Sequence, residues 1–250
     1  MSKNLLMFNN SKLSMDPETH PIHNSTKHEL FLKKLEEVKY GYLYNWFVVN
    51  DSKKISSSDE WEVPNHSTSN SGSSNVLQWY LGGQDLAGGK MKESGFTYWT
   101  SPNTGANNSS KFNGKGSGLR LYNTGAYSSL NVSFDSWTRT QIGGIYHMQL
   151  AYNSDDYILG LDDGSGKRGS SIRLVKTGTT LSEGETGFYT GNDGKYYRTI
   201  CIGTQEWLTD NLKETKFRNG DTISVVTDNA TWVSLSTSAR CVYDNDENNA

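Results

Sequence analysis

The sequence predicts an α+β protein that is β-rich, with two or three short helices and long polar loops. Most of the 250-residue chain consists of short β-branched or aromatic runs separated by clusters of Gly, Ser and Asn, which is the pattern of strands joined by loops. Hydrophobic residues make up only 34% of the chain, but 7 Trp and 14 Tyr supply large side chains that disordered chains lack. A chain of this length can bury a core of ordinary size.

The first 39 residues predict an N-terminal arm that contains an amphipathic helix. Pro17 and Pro21 break any helix in the first part of the arm. Thr26 and Glu29 have the capping-box spacing that starts a helix. The apolar residues that follow recur at helical intervals and line one face: Leu30, Phe31, Leu35 and Val38. Such a helix can pack on its own domain or serve as an anchor or oligomerisation element, and both interpretations stay open.

Residues 40–176 form the main part of the predicted module. One helix is expected near residues 75–81, because the run ends at Gly82-Gly83, a common helix stop. Strands are expected at residues 97–99, 118–122, 147–152 and 171–175. The long polar loops between them are of the kind that carries function.

A flexible polar linker is expected at residues 177–187. After it, Asn-Asp-Gly at residues 192–194 predicts a hairpin turn, because Asp-Gly accommodates the positive φ angles of a type I′ turn. Residues 205–213 predict a short helix with a buried face of Trp207, Leu208 and Leu212. The segment 188–250 is too short and too polar to form a good core alone, so it needs residues 40–176 as a partner surface.

Composition excludes several classes of function. The net charge is −3 and the basic residues are dispersed, so a nucleic-acid partner is not expected. The N-terminus has no adequate apolar stretch or cleavage site for a secretion signal, and nothing approaches the roughly 20 apolar residues of a membrane span. Cys201 and Cys241 are expected to be free thiols, consistent with assembly in a reducing cytoplasm.

No catalytic motif is present, and the chain is not expected to be an enzyme. Gly160 to Lys167 fails as a phosphate loop because its spacing is one residue too long and Arg168 follows the lysine. His20, His23 and His28 lie in a Pro-broken tail without the paired spacing of a zinc site, so no metal site is predicted.

Calcium is not predicted either. The acidic pairs at residues 155–156 and 162–163 could supply oxygen ligands, but the alternation of a calcium loop is missing. No cofactor is therefore expected.

Several blocks of the sequence together resemble a known family. They are residues 40–46 (YGYLYNW), 61–64 (WEVP), 80–83 (YLGG), 87–92 (AGGKMK), 99–108 (WTSPNTGANN) and 171–175 (SIRLV), with a second group at 191–197 (GNDGKYY), 202–207 (IGTQEW) and 239–246 (ARCVYDND). These blocks resemble the Fibrobacter succinogenes major paralogous domain, a C-type-lectin-like module of bacterial surface proteins and bacteriophages. The resemblance implies a C-type-lectin-like fold for most of the chain after residue 39.

The resemblance also implies that the halves of the module stand in permuted order. The second group of blocks is similar to the opening of the module, yet it lies at the C-terminus. Residues 188–250 then complete the module either within the same chain, as in a circular permutant, or in a neighbouring subunit, as in a domain swap. Formylglycine-generating enzymes share this fold but depend on paired active-site cysteines, and the two cysteines here lie in the segment that supplies the first half of the module.

The expected ligand surface is the loop-rich stretch from residue 122 to residue 157. It combines flat aromatic faces with amides and charges, which suits sugars and adaptable protein contacts. Its candidate ligand-binding residues are Tyr122, Asn123, Tyr127, Trp137, Arg139, Tyr146, Tyr152, Asn153, Asp155 and Tyr157.

The expected function is non-catalytic attachment of a bacteriophage virion to the host surface, through a glycan or a protein. The chain would be a head fibre, decoration or tail-associated subunit at the virion surface, assembled in the host cytoplasm. Its arm would contact other virion proteins, and a homo-oligomer such as a trimer is expected. A purely structural capsid or tail component and a bacterial cell-surface binding protein are the alternatives.

Overall fold

The computed structural model describes residues 38–250. Its strands are β1 (Leu43–Tyr44), β2 (Ser117–Arg120), β3 (Tyr127–Leu130), β4 (Ser133–Gln141), β5 (Ile145–Ala151), β6 (Ile158–Leu161), β7 (Val175–Thr177), β8 (Thr186–Thr190), β9 (Tyr196–Ile202), β10 (Gln205–Leu208), β11 (Ser224–Val225) and β12 (Ala239–Cys241). Its α-helices are α1 (Trp46–Asn50), α2 (Ser73–Tyr80), α3 (Gln84–Met91) and α4 (Asn229–Val233), and two short 3₁₀ turns follow at Tyr243–Asn245 and Glu247–Asn249.

The strands form three open sheets. Five strands pair in the order β3-β2-β4-β5-β6, four in the order β7-β10-β9-β8, and three in the order β1-β12-β11. The β-rich α+β class predicted from the sequence is confirmed, but the described residues contain four short α-helices where two or three were expected. Among residues 38–250, no helix has the length and apolar character needed to cross a lipid bilayer.

Four of the ten residues expected to bind ligand lie in strands of the five-stranded sheet, and the other six lie in the segments that connect its strands. Strands β4 and β5 are antiparallel, with Ser133 opposite Ala151 at one end and Gln141 opposite Ile145 at the other. Strand β2 runs parallel to β4, with Gly118 opposite Phe134. Strand β6 pairs with β5 and forms one edge of the sheet.

The C-terminal segment pairs with the main part of the same chain. Strand β10 lies between β7 and β9, and β12 pairs with β1, with Cys241 opposite Leu43. The backbone N–H groups of Lys39 and Tyr40 donate to the carbonyls of Ala250 and Asn249. Residues 188–250 therefore pair with two strands of the main part, β1 and β7, and contact the backbone at residues 39 and 40.

Three hydrophobic clusters form the core, and each combines side chains from before and after residue 177. The first joins Tyr44, Trp46 and Trp137 to Tyr197 and Leu212. The second contains, among others, Leu77, Trp99, Phe112, Phe134, Ile200 and Trp207. The third contains Leu43, Trp232, Ala239, Cys241 and Tyr243.

The structure confirms some of the predicted elements and corrects others. Helix α2 ends at Tyr80, two residues before Gly82. Strands β8 and β9 form the hairpin predicted around residues 192–194, but Gly194 alone in its loop has a positive φ, so the turn is not of the predicted type I′. Residues 205–213 are not a helix: their first part is β10, whose residues are all buried in the four-stranded sheet. Residues 97–99 form bends, and in residues 171–175 only Val175 belongs to a named strand.

The predicted linker is an ordered connection between β7 and β8. The N–H of Gly184 donates to the carbonyl of Cys201, and the N–H of Cys201 donates to the carbonyl of Glu185, so these contacts hold the segment on β9.

The amphipathic helix of the arm and the three histidines of the tail lie outside the described residues. Val38, the last apolar residue of the predicted helical stripe, is buried in the core.

Candidate functional site

The residues expected to bind ligand lie at different ends of the five-stranded sheet. Arg139 and Tyr146 lie near the β4–β5 hairpin, whereas Tyr152 and Asn153 follow β5 at the opposite end. Asp155 and Tyr157 also lie at that opposite end, before β6, and Tyr122 and Asn123 lie in the turn between β2 and β3. The structure therefore does not bring the ten residues together in one pocket.

Two of these residues belong to the core. Trp137 is fully buried, and its indole N–H donates to the carbonyl of Tyr44 at 2.7 Å. Tyr157 is also buried, in the cluster around Leu77 and Phe134. Neither side chain can reach a ligand at the surface, so their assignment to the binding surface is corrected.

The other predicted residues remain at least partly accessible. Arg139 forms an ion pair with Glu62 at 2.8 Å, and Tyr146 packs against His66 with ring centroids 5.7 Å apart. Tyr127 packs against Tyr243. Tyr122, Asn123 and Asn153 are exposed, and Tyr152 and Asp155 are partly buried.

A depression of about 520 Å³ lies beside the Arg139–Glu62 ion pair, where α2 meets the β7–β10 pair. Seven of its nine lining residues have polar side chains, and the other two are Val76 and Gly178. The lining residues are Glu62, Asn65, Ser71, Ser73, Val76, Thr177, Gly178, Thr204 and Gln205. We take this depression as the candidate site and call it the α2 depression.

Hydrogen bonds hold the lining of the α2 depression in place. The Asn65 Oδ1 atom accepts from the backbone N–H of Ser73 at 2.9 Å and from its hydroxyl at 3.0 Å, and the N–H of Asn65 donates to the Ser73 hydroxyl at 3.0 Å. The amide of Gln205 donates to the carbonyl of Ser73 and accepts from the indole N–H of Trp207. Because the start of α2 is tied to both a loop and a strand, the site is preformed.

Three polar groups in the lining remain available to a ligand. The hydroxyls of Thr177 and Thr204 and the side-chain NH₂ of Asn65 form no hydrogen bond within residues 38–250. A hydroxyl both donates and accepts, and an amide NH₂ donates twice. The site can therefore exchange several hydrogen bonds with a ligand that carries hydroxyl groups.

An exposed aromatic ring borders the α2 depression. Ser73, Val76 and Tyr80 are spaced i, i+3 and i+7, so they lie on one face of α2. Tyr80 is 52% exposed and its ring packs against Gly203, the neighbour of Thr204 in the lining. Trp79, which is 60% exposed, precedes it at the same end of the helix. A flat apolar face therefore adjoins the polar lining.

The charge of the site is balanced. Glu62 is the one ionisable side chain among the nine lining residues, and the guanidinium of Arg139 neutralises it. An ionic ligand would find no unpaired charge in the lining. A neutral ligand with many hydroxyl groups matches the site better.

The described residues also contain a buried polar cluster around Asp135. Its carboxylate accepts from Ser133, Gln149 and Arg168, and His147 Nε2 lies 3.3 Å from it. Burial opposes ionisation of Asp135, but the hydrogen bond with His147 and the charge of Arg168 outweigh it and lower the pKa of the carboxyl. Because Asp135 and His147 are both buried, a substrate cannot reach this pair.

The thiols of Cys201 and Cys241 are free and buried. Burial, and then the carboxylates of Glu183 and Glu206, raise the pKa of Cys201 to about 11, and burial also raises the pKa of Cys241. Both therefore lack the thiolate character of a reactive cysteine. In the part of the chain that the structure describes, no three His, Cys, Asp or Glu side chains are grouped so that they could hold a metal ion.

Comparison of the chain with protein-family models, with curated proteins and with solved structures gave no match.

The α2 depression was not predicted from the sequence, although one signal for it was present. Trp79-Tyr80 stands at the end of a predicted helix, directly before Leu81 and two glycines. An aromatic pair at a helix end that is not needed for the core is a candidate for surface contact.

Proposed function

We propose that this chain is a non-catalytic, lectin-like attachment protein of a bacteriophage virion, and that the α2 depression binds neutral glycan at the host surface. The observation that carries the proposal is the exposed ring of Tyr80 on α2, beside a charge-balanced lining of mostly polar side chains. Aromatic rings cover the apolar faces of sugars, while hydroxyls and amides bond their OH groups. The assignment to a virion rests on the family resemblance of the sequence.

The C-type-lectin-like fold with permuted halves belongs to the same proposal. It is supported by the core clusters, in which side chains from residues 188–250 pack against side chains from residues 40–176 of the same chain. A single α2 depression is open and offers few contacts, so each site would bind weakly. Many copies on one particle would supply the avidity that attachment needs.

A second candidate function is a structural role in the particle without receptor binding. Trp79, Tyr80 and Leu86 are each more than half exposed around the turn between α2 and α3. Exposed aromatic and aliphatic side chains of this kind are also typical of subunit interfaces. The same surface would then contact a neighbouring virion protein.

Glycan-array binding of the full-length protein, displayed multivalently, distinguishes the two roles. Substitution Tyr80→Ala removes the ring that would cover the sugar, and we expect binding to neutral glycans to fall about tenfold, or about 1.4 kcal/mol. Thr204→Val keeps the shape of the side chain and removes one hydroxyl, and we expect a smaller loss. Phe96→Ala is the control, because Phe96 is also more than half exposed but lies in the segment after α3 and not on α2.

The structural role would be supported if the multivalent wild-type protein bound no glycan. Equal losses from Tyr80→Ala and Phe96→Ala would also contradict the proposed site. Circular dichroism of each variant checks that the fold is retained.

A further inference from the structure

Strand β6 leaves one side of its backbone without a partner. It forms the edge of the five-stranded sheet, with β5 as its neighbour. In an antiparallel ladder, alternate residues direct their N–H and C=O groups to opposite sides, so about half of these groups face away from β5. Within residues 38–250, the backbone of Ile158–Leu161 forms no hydrogen bond outside that pairing. Such an edge is a template for another strand.

Among the described residues, the other edge strands are each partly covered, short or irregular. Tyr44 of β1 bridges to Ser170, and the carbonyl of Thr190 in β8 accepts a hydrogen bond from the hydroxyl of Ser57. The outer side of β7 is paired with Glu62, which exchanges two backbone hydrogen bonds of 2.9 Å with Val175. Strand β3 is interrupted by Ser129, whose φ of +64° is irregular for a strand. Strand β11 has only two residues. By contrast, β6 pairs with β5 in unbroken register and carries no Lys or Pro, the residues that usually protect an edge.

The β6 edge is also apolar. Leu161 is 61% exposed and stands opposite Tyr146 in the ladder, and Leu159 stands opposite Met148. Because opposite and alternate residues share a face, Leu159 and Leu161 form one apolar row. The adjoining hairpin turn adds exposed Ile142. A strand added here would bury apolar area as well as satisfy backbone groups.

Acidic residues stand at both ends of this apolar strand. Asp155 and Asp156 precede it, and Asp162 and Asp163 follow it. Asp162 is buried, and burial and then Asp163 raise its pKa to about 7, so the negative charge after the strand lies mainly on Asp163. Asp156 and Asp163 form no ion pair within the described part of the chain. If a second copy paired antiparallel with β6, the acidic start of each strand would face the acidic end of the other, and like charges directly opposite destabilise a strand pair. Charge complementarity therefore favours a different partner with basic ends.

We propose that the β6 edge binds an extended segment of another polypeptide, which adds to the sheet as a sixth strand. The segment would carry apolar side chains at alternate positions, to pack beside Leu159 and Leu161, and Lys or Arg at its ends. Main-chain hydrogen bonds supply affinity in this mode, and the side chains supply specificity. The inference is independent of the glycan site, because β6 lines no part of the α2 depression.

The test uses the full-length protein and a synthetic peptide of alternating valine and threonine with two lysines at each end. Binding is measured by fluorescence polarisation, and the contact is located by NMR shift changes of backbone amides. We expect saturable binding, with shift changes concentrated in β5 and β6. Leu161→Lys should weaken binding about tenfold or more, whereas Val225→Lys should not. Val225 is a matched control because it is a similarly exposed aliphatic residue on another edge strand, β11.

Three outcomes would overturn the proposal. The first is absence of saturable binding, and the second is equal binding of a peptide with glutamates in place of the lysines. The third is a concentration-dependent dimer, seen by analytical ultracentrifugation, that Leu161→Lys abolishes. That result would make a second copy of the chain the occupant of the edge.

Discussion

At the residue scale, two buried arginines hold together parts of the chain that are far apart in sequence. Arg173 is fully buried, and its guanidinium donates to the carbonyls of Phe112, Asn113 and Leu208 and to the side chain of Asn211. It also packs over the ring of Phe112, 4.4 Å from the centroid. No carboxylate takes part in these bonds. The positive charge is instead balanced by carbonyl dipoles and an aromatic face.

Arg120 has the same role in another part of the molecule. Its guanidinium donates to the carbonyls of Gly125, Val226 and Thr227, and it lies over the ring of Trp232. The bonds to Val226 and Thr227 join β2 to the segment that follows β11. The two buried arginines thus tie the main part of the module to its C-terminal segment.

Substitution Arg173→Lys should destabilise the protein strongly. A lysine has one donor group in place of the planar guanidinium fork, so several buried carbonyls would lose their partners. We expect a loss of about 3 kcal/mol in the free energy of unfolding, measured by urea denaturation. Arg198→Lys is the control, because Arg198 is exposed, and it should change stability by less than about 0.5 kcal/mol. Equal stability of the two variants would contradict this role for Arg173.

Single residues were the hardest part of the candidate site to predict from the sequence. Trp137 and Tyr157 have the right chemistry for a sugar site, but aromatic side chains also fill cores, and a sequence does not show which way they point. Tyr80 and Thr204 lie 124 positions apart in the numbering. Their segments meet through the contact of the Tyr80 ring with Gly203 and the hydrogen bond from Gln205 to the carbonyl of Ser73. No local pattern contains that information.

At the element scale, local turn chemistry could be predicted and tertiary strand pairing could not. The β8–β9 hairpin follows from Asp-Gly, whose Gly194 has φ of +81°. Residues 205–213 have apolar residues at a spacing that fits a helix, but Gln205–Leu208 is a strand buried between β7 and β9. A short apolar run can form either a helix or a strand. Here hydrogen bonding to both β7 and β9 makes the run a strand.

The β8–β9 hairpin is held by a buried carboxylate, and this contact makes stability depend on pH. Glu214 accepts from the hydroxyl of Tyr197 and from the N–H of Asp193. Burial, and then the charge of Asp193, raise the pKa of Glu214 from 4.5 to about 7. Because the pKa is higher in the folded state, its stabilising contribution is complete below about pH 4.5 and is lost as the pH rises through about 7.

Substitution Glu214→Gln should remove this pH dependence. The amide is always neutral, so the free energy of unfolding of the variant relative to wild type should rise by about 2 kcal/mol from about pH 5 to about pH 8. Urea denaturation at a series of pH values measures the difference. Glu60→Gln, at an exposed residue, is the control. A relative stability of Glu214→Gln that does not change with pH would rule out the raised pKa.

At the scale of the whole molecule, the chain forms one core from two distant segments. The composition predicted a folded α+β protein, and the polar character of residues 188–250 predicted that they need a partner surface. The geometry of that contact could not be predicted, because the pairing of Leu43 with Cys241, 198 positions apart, leaves no local periodicity in the sequence. In the structure β12 pairs with β1, and Trp207 packs in the same cluster as Trp99 and Phe112.

The most direct test of this shared core is the thermal unfolding of a chain shortened to end at Lys176, followed by near-UV circular dichroism. Without residues 177–250 the clusters lose Trp207, Leu212 and Trp232. We predict no cooperative transition for the shortened chain, and one cooperative transition when the segment 177–250 is added as a separate polypeptide. A shortened chain that alone melts cooperatively, with the near-UV spectrum of an intact core, would contradict the account.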